Sequence, residues 1–371
     1  MRYSPEEKAW IWLGDSLGAA VAAADQIVYR NGGPANALEA ARAHRLNAPE
    51  DLGPEKLRAL LERCSGEHIS SVIERCASKG IEIVTRSSAS YPELLREIYD
   101  PPIVLYVMGR LPERLPMPIA VIGSRKCSDY GKRMAEVFGR ALADNGACVV
   151  SGMALGCDAH SAMGALASSS EFPTIAVLAG GVDVVYPRSE EKLYRAILER
   201  GAVISEMKPG TTPIGQSFPR RNRIISGMSR GVLVVEAGEK SGTRITVDFA
   251  LEQGREVFAV PARLTDVMSA GSNALIKNGE AKPVFGVDDI LLEFGTFTAK
   301  AAGLMPRPKL PFEQERLCDE LAKGEKNRDD LSEITGFSVE KLNILLTEME
   351  LSGIIKQLPN GEYAIDAEFR A

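Results

Sequence analysis

The 371-residue sequence predicts an α/β protein: a parallel sheet covered by helices on both faces, with a small helical domain before it and a winged-helix domain after it. Three observations point there. Residues 81–295 alternate short apolar, β-branched runs with helical patterns, and strands that alternate with helices pair in parallel. Residues 1–80 repeat apolar positions at helical spacing between Gly/Pro breaks. Residues 313–371 read as three helices followed by a hairpin. A chain of this length fits two or three domains and buries a core without metal or disulfide staples.

The elements follow in order. "AWIWLGDSL", "AAVAAADQIVYR", "PANALEAARAH", "PEKLRALLERC" and "ISSVIERCASKG" are the helices of domain 1–80, broken by "NGGP" and "DLGP". In domain 81–295 the strands are "IEIVT", "PIAVIGS", "ACVVSG", "TIAVLAGG", "AVISE", "GVLVVEA" and "EVFAVP". Between them fall "YGKRMAEVFGRALADNG", "DAHSAMGALA", "EEKLYRAILERG", "RNRIISGMSR" and "RITVDFALEQGR". Ligands in such folds bind outside the carboxyl ends of the strands. No G-x-G-x-x-G follows a strand, so the dinucleotide fingerprint is absent. Residues 296–312 carry three prolines and no apolar period, which predicts a linker. Domain 313–371 gives "EQERLCDELA", "RDDLSEITG" and "SVEKLNILLTEMELSG", then "IIKQ" and "EYAI" around an Asn-Gly turn.

Charge separates these regions. Residues 313–371 hold 14 acids and 7 bases, a net of −7 against −6 for the whole chain, so residues 1–312 are close to neutral. Phosphate repels such an acidic winged helix, which suits a protein partner better than duplex DNA. Met207–Val235 contains no acid and five cations: Lys208, Arg220, Arg221, Arg223 and Arg230. Phe218 sits among them in "SFPRRNRIISG". A second basic spot, Gly123, Ser124, Arg125 and Lys126, follows the strand "IAVI" at a ligand-facing end. Glycine and serine there let backbone N–H groups face an anion. Cations beside an aromatic ring suit single-stranded nucleic acid, because the ring stacks on an unpaired base for about 1–3 kcal/mol. The alternative is that Arg221 and Arg223 pair with internal acids and Phe218 is core.

Other candidates have two readings each. Ser241, Gly242 and Thr243 precede a helix and either bind phosphate or form a turn and cap. Asp158 either caps a helix or lines the pocket. The six cysteines, Cys64, Cys76, Cys127, Cys148, Cys157 and Cys318, include no C-x-x-C pair, and they read as buried or incidental thiols in a reducing compartment. With three histidines and none at helical spacing from another, no zinc site is expected. No apolar run reaches membrane-spanning length and the charged N-terminus is unlike a signal peptide, so the expected location is cytoplasmic.

Eight stretches within residues 91–290 resemble, in order, the DprA/Smf family of DNA-processing proteins: "DPPIVLYVMG", "AVIGSRKCSDYG", "VVSGMALGCDAH", "AVLAGGVDVVYP", "AVISEMKPGTTP", "SFPRRNRIISGMSRGVLVVEAGEKSGT", "ALEQGREVFAVPA" and "GSNALIKNGE". The resemblance implies an extended Rossmann-like domain between a SAM- or helix-hairpin-helix-like domain and a winged helix. It implies binding of single-stranded DNA, loading of the RecA recombinase on that strand in DNA uptake, transformation and recombination, and a homodimer. Self-association and the RecA contact would fall on about residues 265–290. No catalysis, cofactor or metal is implied. By the family's pocket, Arg125 would hold a phosphate and Phe218 a base, with Arg221, Asn222 and Arg223 close by. Gly215 stands where members often have a lysine, which implies either a lower affinity or Arg220 as the replacement charge. Many members read "GIDxxAH", with the histidine later than His160, so no role passes to His160.

Two other functions compete. Nucleotide phosphoribohydrolases of related fold use PGGxGTxxE, whose glutamate falls here on Thr246, a poor acid–base group near neutral pH. A regulator reading duplex DNA with its winged helix would need a basic third helix, whereas "SVEKLNILLTEMEL" has three glutamates and one lysine.

Overall fold

Tertiary contacts in the computed structural model, which describes residues 3–295, 310–358 and 361–365, divide the chain into two units, Met1–Ala301 and Ala302–Ala371. The first unit opens with α1 (Pro5–Leu17), α2 (Val21–Arg30), α3 (Pro34–Arg42), α4 (Pro54–Glu62) and α5 (Gly66–Ser78). A capping box starts α1: the Ser4 hydroxyl accepts the Glu7 N–H, and the Glu7 carboxylate accepts the Ser4 N–H at 2.9 Å. Proline opens α3 and α4, where its missing N–H has no helical partner to lose.

The sheet region follows as β1 (Glu82–Thr85), α6 (Glu93–Arg96), β2 (Val104–Gly109), β3 (Pro118–Ile122), α7 (Asp129–Asp144), β4 (Cys148–Ser151), α8 (Cys157–Leu166), β5 (Thr174–Val177), α9 (Glu191–Arg200) and β6 (Ala202–Ser205). It continues with α10 (Ser217–Gly227), β7 (Gly231–Val234), α11 (Thr243–Glu252), β8 (Glu256–Ala259), α12 (Ala270–Lys277), β9 (Lys282–Pro283) and α13 (Val287–Glu293). The strand order is β1-β2-β6-β5-β4-β3-β7-β8-β9. Neighbours from β6 through β9 are parallel, so the sheet is mostly parallel, with helices between the strands, as the sequence predicts.

The first edge departs from that expectation. β2 pairs antiparallel with β6, and β1 antiparallel with β2. Parallel neighbours need a crossover, usually through a helix. Between β1 and β2 the chain has only the four-residue α6, so it turns back instead. Strand β2 is the run "VLYVMG", which the sequence reading did not assign.

The expected boundary at residue 80 is not a break in packing. Trp12, Leu13, Ile27 and Leu60 share one buried cluster with Ile83 of β1, Tyr106 of β2 and Val203 of β6. Inside it the Trp12 Nε1–H donates to the Leu60 carbonyl at 2.9 Å.

The second unit holds α14 (Phe312–Ala322), α15 (Arg328–Thr335), α16 (Val339–Leu351) and the antiparallel pair β10 (Ile355–Gln357) and β11 (Tyr363–Ile365). Leu317, Leu331, Leu342, Leu346 and Tyr363 meet in its core. Asn327 and Ser338 cap the starts of α15 and α16, and Gly336, at φ 71°, closes α15 in the left-handed conformation. Residues 296–309 of the expected linker, and Pro359 and Asn360 of the expected turn, lie outside the described residues.

Candidate nucleic-acid interface

Strand order reverses at β3, whose neighbours are β4 and β7. Such a switch point leaves a crevice at the carboxyl ends of the strands. A cleft of about 790 Å³ lies there, lined by the loops after β3 and β7 and by α10. Ten of the twelve predicted site residues line it: Gly123, Ser124, Arg125, Lys126, Phe218, Arg221, Asn222, Ser241, Gly242 and Thr243. Arg220 and Arg223 do not.

Helix phase explains the division. "SFPRRNRIISG" is α10 from end to end, starting about one turn earlier than the pattern "RNRIISGMSR" predicts and ending three residues sooner. Residues three or four apart share a helix face. Phe218, Arg221, Asn222 and Ile225 therefore face the cleft together. Arg220 and Arg223 lie on another face and meet Glu206, at 2.9 Å and 2.5 Å. Arg223, 2% exposed, also pairs with Asp100 at 3.0 Å, and Arg220 donates to the Ala19 carbonyl. Both therefore lie in ion pairs off the cleft lining, whereas the sequence places them with the other site residues. Two of the five cations in the acid-free stretch thus meet Glu206, the residue just before it. Lys208 is taken up in the same way, by Asp15 of α1 at 2.9 Å. Burial alone would raise the Asp15 carboxyl. Hydrogen bonds from His68 and Lys208, with the charges of Lys208 and Arg63, outweigh it and hold Asp15 below its ordinary range.

Arg221 is also buried, yet it reaches the cleft floor. Its guanidinium donates to the Gly152 carbonyl at 2.9 Å and to the Val177 carbonyl. Glycine is needed at 152, because a Cβ there would sit 2.6 Å from the guanidinium carbon. Burial lowers Arg221 to about 10, Arg125 adds to that, and Asp158 opposes it, so the group stays cationic at neutral pH. Asp158 does not cap α8, whose N-cap is Gly156. It accepts the Gly152 N–H at 2.9 Å and lines the cleft. Burial raises its pKa against the pull of Arg221.

Above that floor, Arg125 is exposed and lies 5.1 Å over the Phe218 ring. This is a cation–π distance. The half-buried Phe218 ring is also 5.5 Å from Tyr186, tilted by 49°. The loop bearing Arg125 is held by Glu236, a fully buried residue that the sequence reading passed over. Its carbonyl accepts the Ser124 N–H at 2.7 Å. Its carboxylate accepts the Ser128 N–H at 2.9 Å and the Ser128 hydroxyl. Across the cleft, the Ser241 and Thr243 hydroxyls bond each other at 2.8 Å, and Gly242 opens α11 without a side-chain cap. The cleft also takes in the exposed Lys240 and Gly215, and a Cβ on Gly215 would meet nothing within 4 Å. Lys240 was legible as a cation beside Ser241 and was overlooked. His160 bonds Glu136 at 2.6 Å and is not among the residues lining the cleft.

Residues 82–295 match the family profile of DNA recombination-mediator protein A, and residues 302–361 that of the DprA winged helix domain. The chain is 43% identical over 205 residues to the DNA processing protein DprA of Streptococcus pneumoniae, covering 55% of this chain and 71% of that one. It is 38% identical over 291 residues to Protein Smf of Escherichia coli, covering 75% and 76%. The X-ray structure of the Streptococcus pneumoniae protein superposes with a TM-score of 0.62 at 31% identity, over 79% of this chain and 99% of that one. A Helicobacter pylori DNA processing protein A, described for its single-stranded DNA binding mode, superposes with a TM-score of 0.52 at 29% identity, over 58% and 95%. On these matches, with the sheet and winged helix in the expected places, the chain belongs to the DprA/Smf family of DNA-processing proteins.

Proposed function

We propose that the cleft binds single-stranded DNA without reading its sequence, and that the protein presents the bound strand to the RecA recombinase during DNA uptake, transformation and recombination. The observation that carries this reading is Arg125 stacked over Phe218 at the rim of a strand-end cleft, with Lys126 and Lys240 exposed beside it. Cations hold phosphates and a ring holds an unpaired base, whereas a duplex hides its base faces. In the Ser241–Thr243 turn and the loop Gly123–Lys126 the N–H groups of Ser124, Lys126, Ser241 and Thr243 already have partners within the protein, so further phosphates fall to the exposed side chains of Lys126 and Lys240. The single-strand binding described for the Helicobacter pylori relative supports the same reading.

No catalytic step belongs to this proposal. Thr246 lies in the cleft where a phosphoribohydrolase would need its glutamate, and Asp158, the one carboxylate among the lining residues, is bonded to backbone. The segment 265–290 suits self-association and RecA contact, with Val267 and Phe285 80% and 84% exposed. Gel shifts with oligo-dT and with duplex of equal length test the reading. Oligo-dT should bind far more tightly, with affinity falling as salt rises. Equal affinity for duplex would reject it.

A further inference from the structure

The third helix of the winged helix, α16, has two distinct sides. Leu342, Leu345, Leu346 and Met349 turn inward to the core shared with α14, α15 and the β10–β11 pair. Glu340, Ile344, Thr347 and Leu351 follow at steps of four, three and four, which keeps them on one line along a helix. That line runs opposite the buried one, and all four residues are exposed. Ile344 is 61% and Leu351 84% exposed. Two large aliphatic side chains therefore stand in water two turns apart, about 10 Å along the axis, on a face that in a soluble helix ordinarily carries polar residues.

Negative charge borders this stripe. Glu340 lies on it, and the exposed Glu348 and Glu350 flank Leu351. The one cation of α16, Lys341, is bonded to Glu313 of α14 and lies over the Phe337 ring. Residues 313–371 as a whole hold 14 acids against 7 bases. In winged helices that read duplex DNA the third helix enters the major groove. Here phosphate would meet carboxylates, and it is repelled by them. An anionic lipid surface is repelled in the same way, and a second copy of this face would set like charge against like. The complement of the stripe is apolar side chains bordered by positive charge.

We propose that this face of α16 docks a basic amphipathic helix of a partner protein. Apolar residues of the partner, two turns apart, cover Ile344 and Leu351, and its flanking lysines or arginines meet Glu340, Glu348 and Glu350. The two aliphatic anchors carry most of the affinity, as a few buried side chains do at interfaces. The carboxylates steer the approach and select the partner by charge. Docking here is independent of what the cleft binds.

The probe is a fluorescein-labelled amphipathic peptide of five helical turns, roughly 18 residues, with leucines on one face and lysines elsewhere. A second peptide carries glutamate in place of lysine. Fluorescence anisotropy follows their binding to the full-length protein. The lysine peptide should bind, more weakly as salt rises, and the glutamate peptide should not. Ile344→Asp combined with Leu351→Asp should weaken the lysine peptide by about tenfold or more. These changes add negative charge, so attraction by charge alone would tighten binding instead. Ile344→Ala with Leu351→Ala, which favours the helix, should weaken binding in the same direction if the aspartates disturb folding. Glu348→Lys with Glu350→Lys should weaken it by about threefold and flatten its salt dependence. A lysine peptide that does not bind overturns the proposal, as does binding unchanged or tightened in both Ile344/Leu351 pairs. A changed oligomeric state of the free alanine pair would put a second copy on the face and overturn it too. So would a duplex oligonucleotide bound by the natural chain and lost in the alanine pair, which would make the face a DNA reader.

Discussion

Arg125 and Arg223 both belong to the basic set of this chain, yet one projects over Phe218 into the cleft while the other is enclosed by Glu206 and Asp100. On α10 itself the same division separates Arg221 and Asn222 from Arg220 and Arg223. Charge density along a sequence therefore says little about charge presented to a ligand. Helical phase decides which side chains share a face, and the nearest folded-back acid decides which charges stay free.

The largest effect that could break this comparison comes from its buried side. Arg223→Ala should destabilise the protein by about 3 kcal/mol or more, because it leaves the buried Glu206 with only Arg220. Urea unfolding measures this, and unchanged stability with lost DNA binding would return Arg223 to the interface. On the open side, Arg125→Ala and Phe218→Ala should each weaken oligo-dT binding by about tenfold with an unchanged unfolding midpoint. Two variants that bind like wild type would remove the pocket assignment. A smaller effect, opposite in sign, is expected from Gly215→Lys, which adds a cation at an open position of the cleft. Affinity should rise, and the salt slope should steepen by about 0.7. An unchanged slope would show that the strand does not pass Gly215. Least of all should change on deleting 302–371, with oligo-dT affinity within about twofold, as for independent parts. A collapse of binding would make the acidic winged helix a reader after all.

Much of this molecule was legible beforehand. Alternating β-branched runs and helical patterns located most strands of the sheet, because strand and helix periods differ so plainly. The antiparallel edge was hidden because "VLYVMG" has only the four-residue α6 before it and no helix between it and β3, so no helical pattern marks it off as a strand. The cleft loops were legible from glycine, serine and cations at strand ends. The ion pairs of Arg220 and Arg223 were not legible, because the pattern "RNRIISGMSR" starts a helix only at Arg221 and leaves Phe218 and the helix phase undefined. Glu236 was invisible as a loop anchor because its partner Ser128 is 108 residues away in sequence.

The bond between Asp15 and Lys208 has a bearing on how such chains diverge. A descendant that kept the sheet but shed the first helices would strand Lys208 without its carboxylate. That lysine would then turn outward, or drift to another residue. A comparison of relatives with and without the N-terminal helices should find position 208 changing in step with position 15. A single column of aligned sequence would then report whether a whole layer of helices is present.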